Sequence, residues 1–198
     1  MESQVVNIEL NRADSLVQIE PLGDLHVGNR GCDYSKLNYV IDRIKQKNNR
    51  YTIVMGDLVD AIYPHPLESR FSLDNLDAKF LSSLQSSDSG MEGLIDAQYD
   101  FVYNLLNPIR KKIWLVHGGN HDLKMLKFHH TDWAKGVAKR LGVKYASGLC
   151  QTRVKLFHKD KMMYTVLINS HHGSFGGMTD GGNLNRLESL MQGWRADI

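Results

Sequence analysis

Three short, β-prone runs each end at or one residue before a glycine that leads into polar residues, and this limits the chain to a narrow set of folds. Val17 to Leu22 ends in Gly23-Asp24-Leu25-His26, Tyr51 to Met55 in Gly56-Asp57-Leu58-Val59-Asp60, and Lys112 to Val116 in His117-Gly118-Gly119-Asn120-His121-Asp122. Between the first two runs Leu37, Val40, Ile41 and Ile44 recur at helical spacing, and the Lys and Asn residues of Lys45 to Asn49 close that segment. Strand, helix, strand in this order predicts a right-handed crossover and a parallel sheet, so the fold class is α/β. In such sheets the carboxyl ends of the strands face a common crevice, where residues distant in sequence meet.

Residues from about 63 to 107 break this rhythm and read as a helical insertion. It opens on the Pro64-His65-Pro66 turn, passes through the Ser-rich stretch Ser82 to Ser89, and carries two expected helices, Leu73 to Leu84 and Met91 to Leu106. Thr131 to Leu141 then places Trp133, Val137 and Leu141 on one helical face. Val143 to Ala146 and Thr152 to Phe157 read as strands, the latter pairing with Met162 to Ile168 across His158-Lys159-Asp160-Lys161 as a hairpin. Asn183 to Gln192 is a final expected helix, and no internal repeat is evident.

The chain of 198 residues, 42% hydrophobic, can bury one good core, so a single domain over 1–198 is expected. Lys and Arg number 24 against 22 acidic residues, and a net charge of +2 gives no general drive toward nucleic acid or membrane. No apolar stretch approaches the roughly 20 residues needed to span a bilayer. Cys32 and Cys150 lie far apart, and the opening Met-Glu-Ser-Gln has neither a basic nor an apolar leader. A cytoplasmic protein with free thiols is therefore expected. A P-loop phosphotransferase is set aside, since Gly-x-x-x-x-Gly-Lys-Ser/Thr does not occur.

The chemistry sits at the run ends, joined by a fourth motif, His171-His172-Gly173, after Met162 to Ile168. Asp24 and His26, one residue apart, would point from one turn at the same metal ion. Asp57 is suited to bridge two ions, because a carboxylate has two oxygens and about four lone-pair sites. Asn120 offers a side-chain carbonyl, and His171 or His172 an imidazole. Mixed carboxylate, amide and imidazole donors suit Mn, Fe, Zn or Co rather than Ca. Two such ions about 3.5–4 Å apart would clamp a phosphate and an attacking water. Gly-Asp alone is a common strand-to-turn pair; the ordered set of four carries the reading.

These residues resemble the calcineurin-like metallophosphoesterase superfamily, whose pattern runs Asp-x-His, Gly-Asp-x-x-Asp, Gly-Asn-His-Asp/Glu, a lone His, then Gly-His-x-His. The first four motifs match and span nearly the whole chain. The resemblance implies an αββα sandwich, mixed sheets flanked by helices. It implies two divalent ions, Mn first with Fe, Zn, Co or Ni as alternatives, with Asp24 and His26 on one, Asp57 bridging, and Asn120 and the fourth-motif His on the other. The family's His-Gly form favours His172, with His171 the alternative. His121 is implied as the catalytic acid and Asp122 as the catalytic partner that holds its ring in the right tautomer. Lys124 stands where many relatives carry a phosphate-binding Arg; a point charge is less directional than a guanidinium fork, and a solvated lysine is the plainer alternative. Asp60 is implied to be structural or to support the ligands.

The fifth motif does not occur, so the resemblance implies a family member lacking the C-terminal part of the domain, each ion one ligand poorer, unless a second copy in a homo-oligomer lends one. The implied activity is hydrolysis of a phosphomonoester or phosphodiester, small molecule or nucleic acid. The Met-Gly-Asp-Leu-Val-Asp and His-His-Gly-Ser-Phe-Gly-Gly runs are more similar to stand-alone microbial or phage phosphoesterases than to protein phosphatases. The rival readings are a DNA exo- or endonuclease of the same superfamily and a non-catalytic metal-bound scaffold; the latter has no need of His121. Elsewhere, His117 reads as packed or solvated, His65, His129 and His130 as exposed loop histidines, and Trp114 and Trp133 as core. Ser174 to Gly177 with Gly181-Gly182 reads as a flexible loop that closes over substrate or simply turns the chain.

Overall fold

The computed structural model describes residues 2–60, 73–80, 90–173 and 196–198. Its strands are, in chain order, β1 (Glu2–Glu9), β2 (Gln18–Ile19), β3 (Arg50–Val54), β4 (Ile113–His117), β5 (Lys144–Ala146), β6 (Cys150–His158) and β7 (Lys161–Ser170). Its α-helices are α1 (Tyr34–Gln46), α2 (Gly90–Leu106), α3 (Asn120–His129) and α4 (Trp133–Leu141). The chain is α/β and divides into two compact units, Val17–Ser147 and Met1–Leu16 with Gly148–Ile198.

The larger unit is built on a parallel sheet of order β2-β3-β4-β5. Helix α1 forms where the sequence expects it: Leu37, Ile41 and Ile44 are its buried stripe, and Asp33 starts it by accepting the Lys36 N–H at 2.9 Å. At its other end the Lys112 ammonium donates to the Ile44 and Lys45 carbonyls at 2.7 and 3.2 Å, neutralising the negative end of the helix. Asp132 caps α4 and Gly142, at φ +72°, ends it. Strand β4 is buried along its whole length, as a continuous apolar run in a parallel sheet should be. Val54, Val116, Ile44, Leu94, Val102, Leu106, Val137 and Leu141 join in one apolar core.

Strand β2 is shorter than the expected Val17 to Leu22 run, although its pairing with β3 continues: the Gln18, Glu20 and Leu22 N–H groups donate to Asn49, Tyr51 and Ile53. Pro21 falls between these donors, so its missing N–H lies on the open edge of the strand. Of the two expected insertion helices, Met91 to Leu106 is α2. The expected Leu73 to Leu84 helix is, within the described residues, a 3₁₀ turn at Leu73–Asn75 and helical backbone at 78–80. Its remainder, like His65 and the Ser-rich stretch, lies outside the described residues.

The smaller unit is a sheet of order β1-β6-β7, with β1 parallel to β6 and β6 and β7 forming the expected antiparallel hairpin. Lys159 and Asp160 form its tip at φ +50° and +62°, the turn sense that matches the twist of the flanking strands. Strand β1 was not expected: Glu2-Ser3-Gln4 followed by Val5-Val6 gives no alternation of polarity, and only pairing with β6 makes the segment a strand. Residues 196–198 run along β7, with the Asp197 N–H donating to the Leu167 carbonyl at 2.8 Å and Asn169 to Ile198 at 3.0 Å. The expected helix Asn183 to Gln192 and the loop Ser174 to Gly182 lie outside the described residues. Among the described residues no helix is long and apolar enough to cross a membrane. Both cysteines are free thiols.

Neither Lys159 nor Asp160 is a residue that favours a left-handed backbone as glycine does, a conformation costing roughly 1–2 kcal/mol for an ordinary residue. The variant Asp160→Gly should therefore raise stability by about 0.5–1 kcal/mol, read as a higher urea midpoint at unchanged slope.

Candidate metal centre

The site lies within the larger unit, where β2 and β3 continue to pair after both strands have ended. Asp24 N–H donates to Gly56 at 3.1 Å, His26 to Asp57 at 3.0 Å, Val27 to Leu58 at 3.2 Å and Asp60 back to Val27 at 3.0 Å. This extended ladder is achieved on an unusual backbone. Asp24, His26 and Asp57 have φ of +52°, +45° and +49°, and Gly56 reaches +98°. Residues held in the left-handed region persist only where the surroundings over-determine them, and such strain gathers at functional sites. Here it gathers on three of the five residues expected to be metal ligands, Asn120 and His172 being the others.

The strained turns bring one ligand atom from each of Asp24, His26 and Asp57 within 4.8 Å of one another. His26 Nε2 lies 3.8 Å from Asp24 Oδ1 and 3.9 Å from Asp57 Oδ2. Ligand atoms bound at about 2.0–2.2 Å from one ion can sit up to about 4 Å apart, so this set fits a divalent cation. The Asp57 residue is 3% exposed while the Asp24 side chain is 71% exposed, so the cluster opens to solvent on the Asp24 side.

Asp60 decides how two imidazoles face this cluster. Its Oδ1 lies 3.0 Å from His26 Nδ1 and 3.2 Å from His121 Nδ1, and the rings meet edge to face with centroids 4.9 Å apart. His121 Nδ1 also lies 3.2 Å from the Asp60 carbonyl. Burial pushes the Asp60 carboxyl up, but hydrogen bonds from His26 and Asn29 outweigh it and hold the group below its usual range. An ionised carboxylate only accepts, so both rings carry a proton on Nδ1, and Nε2 is the ring nitrogen left to meet a cation or a second proton. The bond to Asp60 raises the His26 pKa against the opposing effect of burial.

Helix α3 closes the third side. Its His121 N–H donates to Asp57 Oδ1 at 2.8 Å, which sets the helix N-terminus against the central carboxylate. A Cβ on Gly119 would fall 2.1 Å from both the amide N and Oδ1 of Asp57, so only glycine permits this approach. Asn120 is the first residue of the helix and Lys124 lies one turn further along, half-buried.

The structure gives Asp122 different partners from those expected. Rather than holding the His121 ring, its carboxylate is 2% exposed and accepts from the Gly119 N–H at 2.9 Å, the Leu58 N–H at 3.3 Å and the Tyr99 hydroxyl at 2.9 Å. Asp122 therefore ties the α3 start to the Asp57 loop, and the ring of His121 is oriented by Asp60 instead. Burial pushes the Asp122 carboxyl up to about 6 in spite of its three donors, and burial together with Asp122 pushes the Tyr99 hydroxyl up as well. Tyr99 in turn stacks on Trp133 at 6.0 Å, and Trp133 Nε1 donates to Asp96 at 2.8 Å. Trp133 thus braces a support for the site and is only half-buried, whereas Trp114 is core beside Tyr51.

His171 and His172 follow β7 in the smaller unit, half-buried, with the Gly173 N–H donating to His171 Nδ1 at 2.8 Å. His117 is packed, 1% exposed, as expected. His130 is exposed and ends α3 at φ +56°. His129 is the last residue of α3. Sequence reasoning missed Tyr99, which sits in a stretch read only as an insertion, and Asn29, which belongs to no motif. No protein-family model, curated protein or solved structure matches this chain.

Removing the Tyr99 hydroxyl leaves a buried carboxylate one donor short, a change costing about 1–3 kcal/mol. Tyr99→Phe should lower stability by that amount in denaturant unfolding, and a Mn²⁺ titration followed by melting temperature should give a rise in the parent protein that is lost in Gly119→Ala.

Proposed function

We propose that this chain is a metal-dependent phosphoester hydrolase of the calcineurin-like metallophosphoesterase type, with the αββα sandwich which that type implies. One observation carries the reading: Asp24, His26 and Asp57, each in a strained left-handed backbone at a strand end, converge their ligand atoms on one point. Strain of this kind has no value to a packing core, whereas a shared cation rewards it. Asp24 and His26 would hold one ion and Asp57 would serve two; Asn120 and His172, with His171 as its alternative, are the residues the resemblance assigns to the second. When bound, such ions supply Lewis-acid charge to the phosphoryl oxygens and lower the pKa of water to near neutrality.

The chain's own residues supply the rest. Asp60 keeps His26 in the tautomer that offers Nε2 to a cation. The same carboxylate fixes His121 through Nδ1, leaving Nε2 as the atom that carries a proton to the departing oxygen. Lys124 lies four residues beyond Asn120, hence on the same side of α3, where its charge favours a bound phosphate. The donor set favours Mn²⁺ as the first ion to try, and the substrate class is a phosphomonoester or phosphodiester.

The test is hydrolysis of bis(p-nitrophenyl) phosphate and p-nitrophenyl phosphate with added Mn²⁺, and its loss on chelation. Asp57→Ala should abolish turnover, and activity surviving that change would sink the assignment. His121→Gln should lower kcat about 10²- to 10⁴-fold while Mn²⁺ still raises the melting temperature, separating proton transfer from metal binding.

A further inference from the structure

We propose that Asn29 is a positioning residue of this site: its side-chain amide aims the Asp60 carboxylate that sets the tautomer of His26. This rests on the hydrolase reading for its consequence in turnover, but not for its geometry.

Asn29 is held at three points before its side chain does anything else. Its N–H donates to the His26 carbonyl at 3.1 Å, its carbonyl accepts from the Cys32 N–H at 3.0 Å, and its backbone bridges to Leu76. The side-chain Oδ1 then accepts the Gly31 N–H at 2.8 Å. A backbone N–H can only donate, so this contact assigns the amide oxygen and leaves Nδ2 on the other side. There Nδ2 donates to Asp60 Oδ2 at 2.7 Å. With Oδ2 anchored, Oδ1 has one place to be: between the two imidazole Nδ1 atoms, at 3.0 and 3.2 Å.

The arrangement concentrates risk on a single torsion. A carboxylate turns about its terminal bond over a broad range when nothing holds it. One rotation would weaken the His26 contact and release that ring to the other tautomer, whereas His121 Nδ1 keeps the Asp60 backbone carbonyl at 3.2 Å. His26 would then turn an N–H toward the cation site. Groups that orient metal ligands in this way are worth about 10- to 100-fold in affinity or activity.

Asn29→Asp separates this role from a simpler one. An Asp side chain still accepts the Gly31 N–H, so a residue that merely shapes the turn would be replaced without loss; the donor to Asp60 is gone. The readout is the imidazole ¹⁵N chemical shifts of metal-free protein labelled at histidine, with His26→Gln and His121→Gln for assignment. In the parent protein both rings should show protonated Nδ1. In Asn29→Asp the His26 ring should shift toward a tautomer mixture while His121 keeps Nδ1 protonated, and with Mn²⁺ kcat should fall about 10-fold or more at a KM changed less than twofold. Unchanged His26 ¹⁵N shifts in Asn29→Asp would overturn the proposal whatever the activity. The double variant Asn29→Asp with Asp60→Asn reverses donor and acceptor across the same bond, and should restore Nδ1 protonation on His26. If the single variant does not fold, the double variant decides: a tautomer mixture there overturns the proposal. A parent protein that fails to hydrolyse either ester would count against the hydrolase reading alone, since the tautomers are read without metal or substrate.

Discussion

Everything at the site depends on the backbone ladder that joins residues 24–27 to 56–60 beyond the last turn of regular sheet. A strand that simply ended would leave these amides to water and its side chains free to wander. Here each N–H between Asp24 and Val27 that faces the neighbouring loop finds a carbonyl there, and the geometry that permits this pushes Asp24, His26 and Asp57 into left-handed conformations. At roughly 1–2 kcal/mol for each ordinary residue, the three together strain the fold by an amount comparable to a sizeable share of a domain's net stability. The apolar core formed by α1, α2 and α4 with β3 and β4 offsets that strain.

Two buried carboxylates convert the ladder into a rigid cradle. Asp57 accepts from the start of α3, and Asp122 reaches back from the same helix to the Leu58 and Gly119 amides. Each is a charge that burial penalises and hydrogen bonds favour. For Asp122 burial prevails, holding its pKa near 6, so the group sits close to the point where its proton is shared between the two influences. The Gly119 amide, the Tyr99 hydroxyl and the Leu58 amide favour the ionised form against burial, and Trp133 stacks on Tyr99. A helix of the insertion and a helix of the sheet's far end thus reach the candidate centre through one hydroxyl.

The strand ends, helix α1, helix α2, helix α4 and the β6-β7 hairpin were legible because each announces itself locally. Leu37, Ile41 and Ile44 recur at the helical period, and Tyr51 to Met55 is an apolar run ending at a glycine. Strand β1 was not legible, since residues 2–9 show no sustained alternation of polarity and carry no turn signal beside them, and only the long-range parallel pairing with β6 makes them a strand. The expected partner for the His121 ring was also misplaced. Sequence adjacency suggested Asp122, but residues one apart on a helix point in different directions, about 100° around its axis. Asp60, distant in sequence, is the carboxylate that the turn brings under the ring.

What the sequence by itself determined is the set of chemical groups and their order: carboxylates, an amide and imidazoles at the ends of apolar runs, with glycines where the backbone must bend. Those follow from residue type and from the local periods of helix and strand, which need no information from elsewhere in the chain. Tertiary structure alone decided which oxygen faces which nitrogen. The tautomers of His26 and His121, the burial of Asp122 and the anchoring of Asp60 by Asn29 all arise from contacts between segments separated by tens of residues. No local pattern encodes them, because a hydrogen bond between distant side chains depends on angles that only the packed fold supplies.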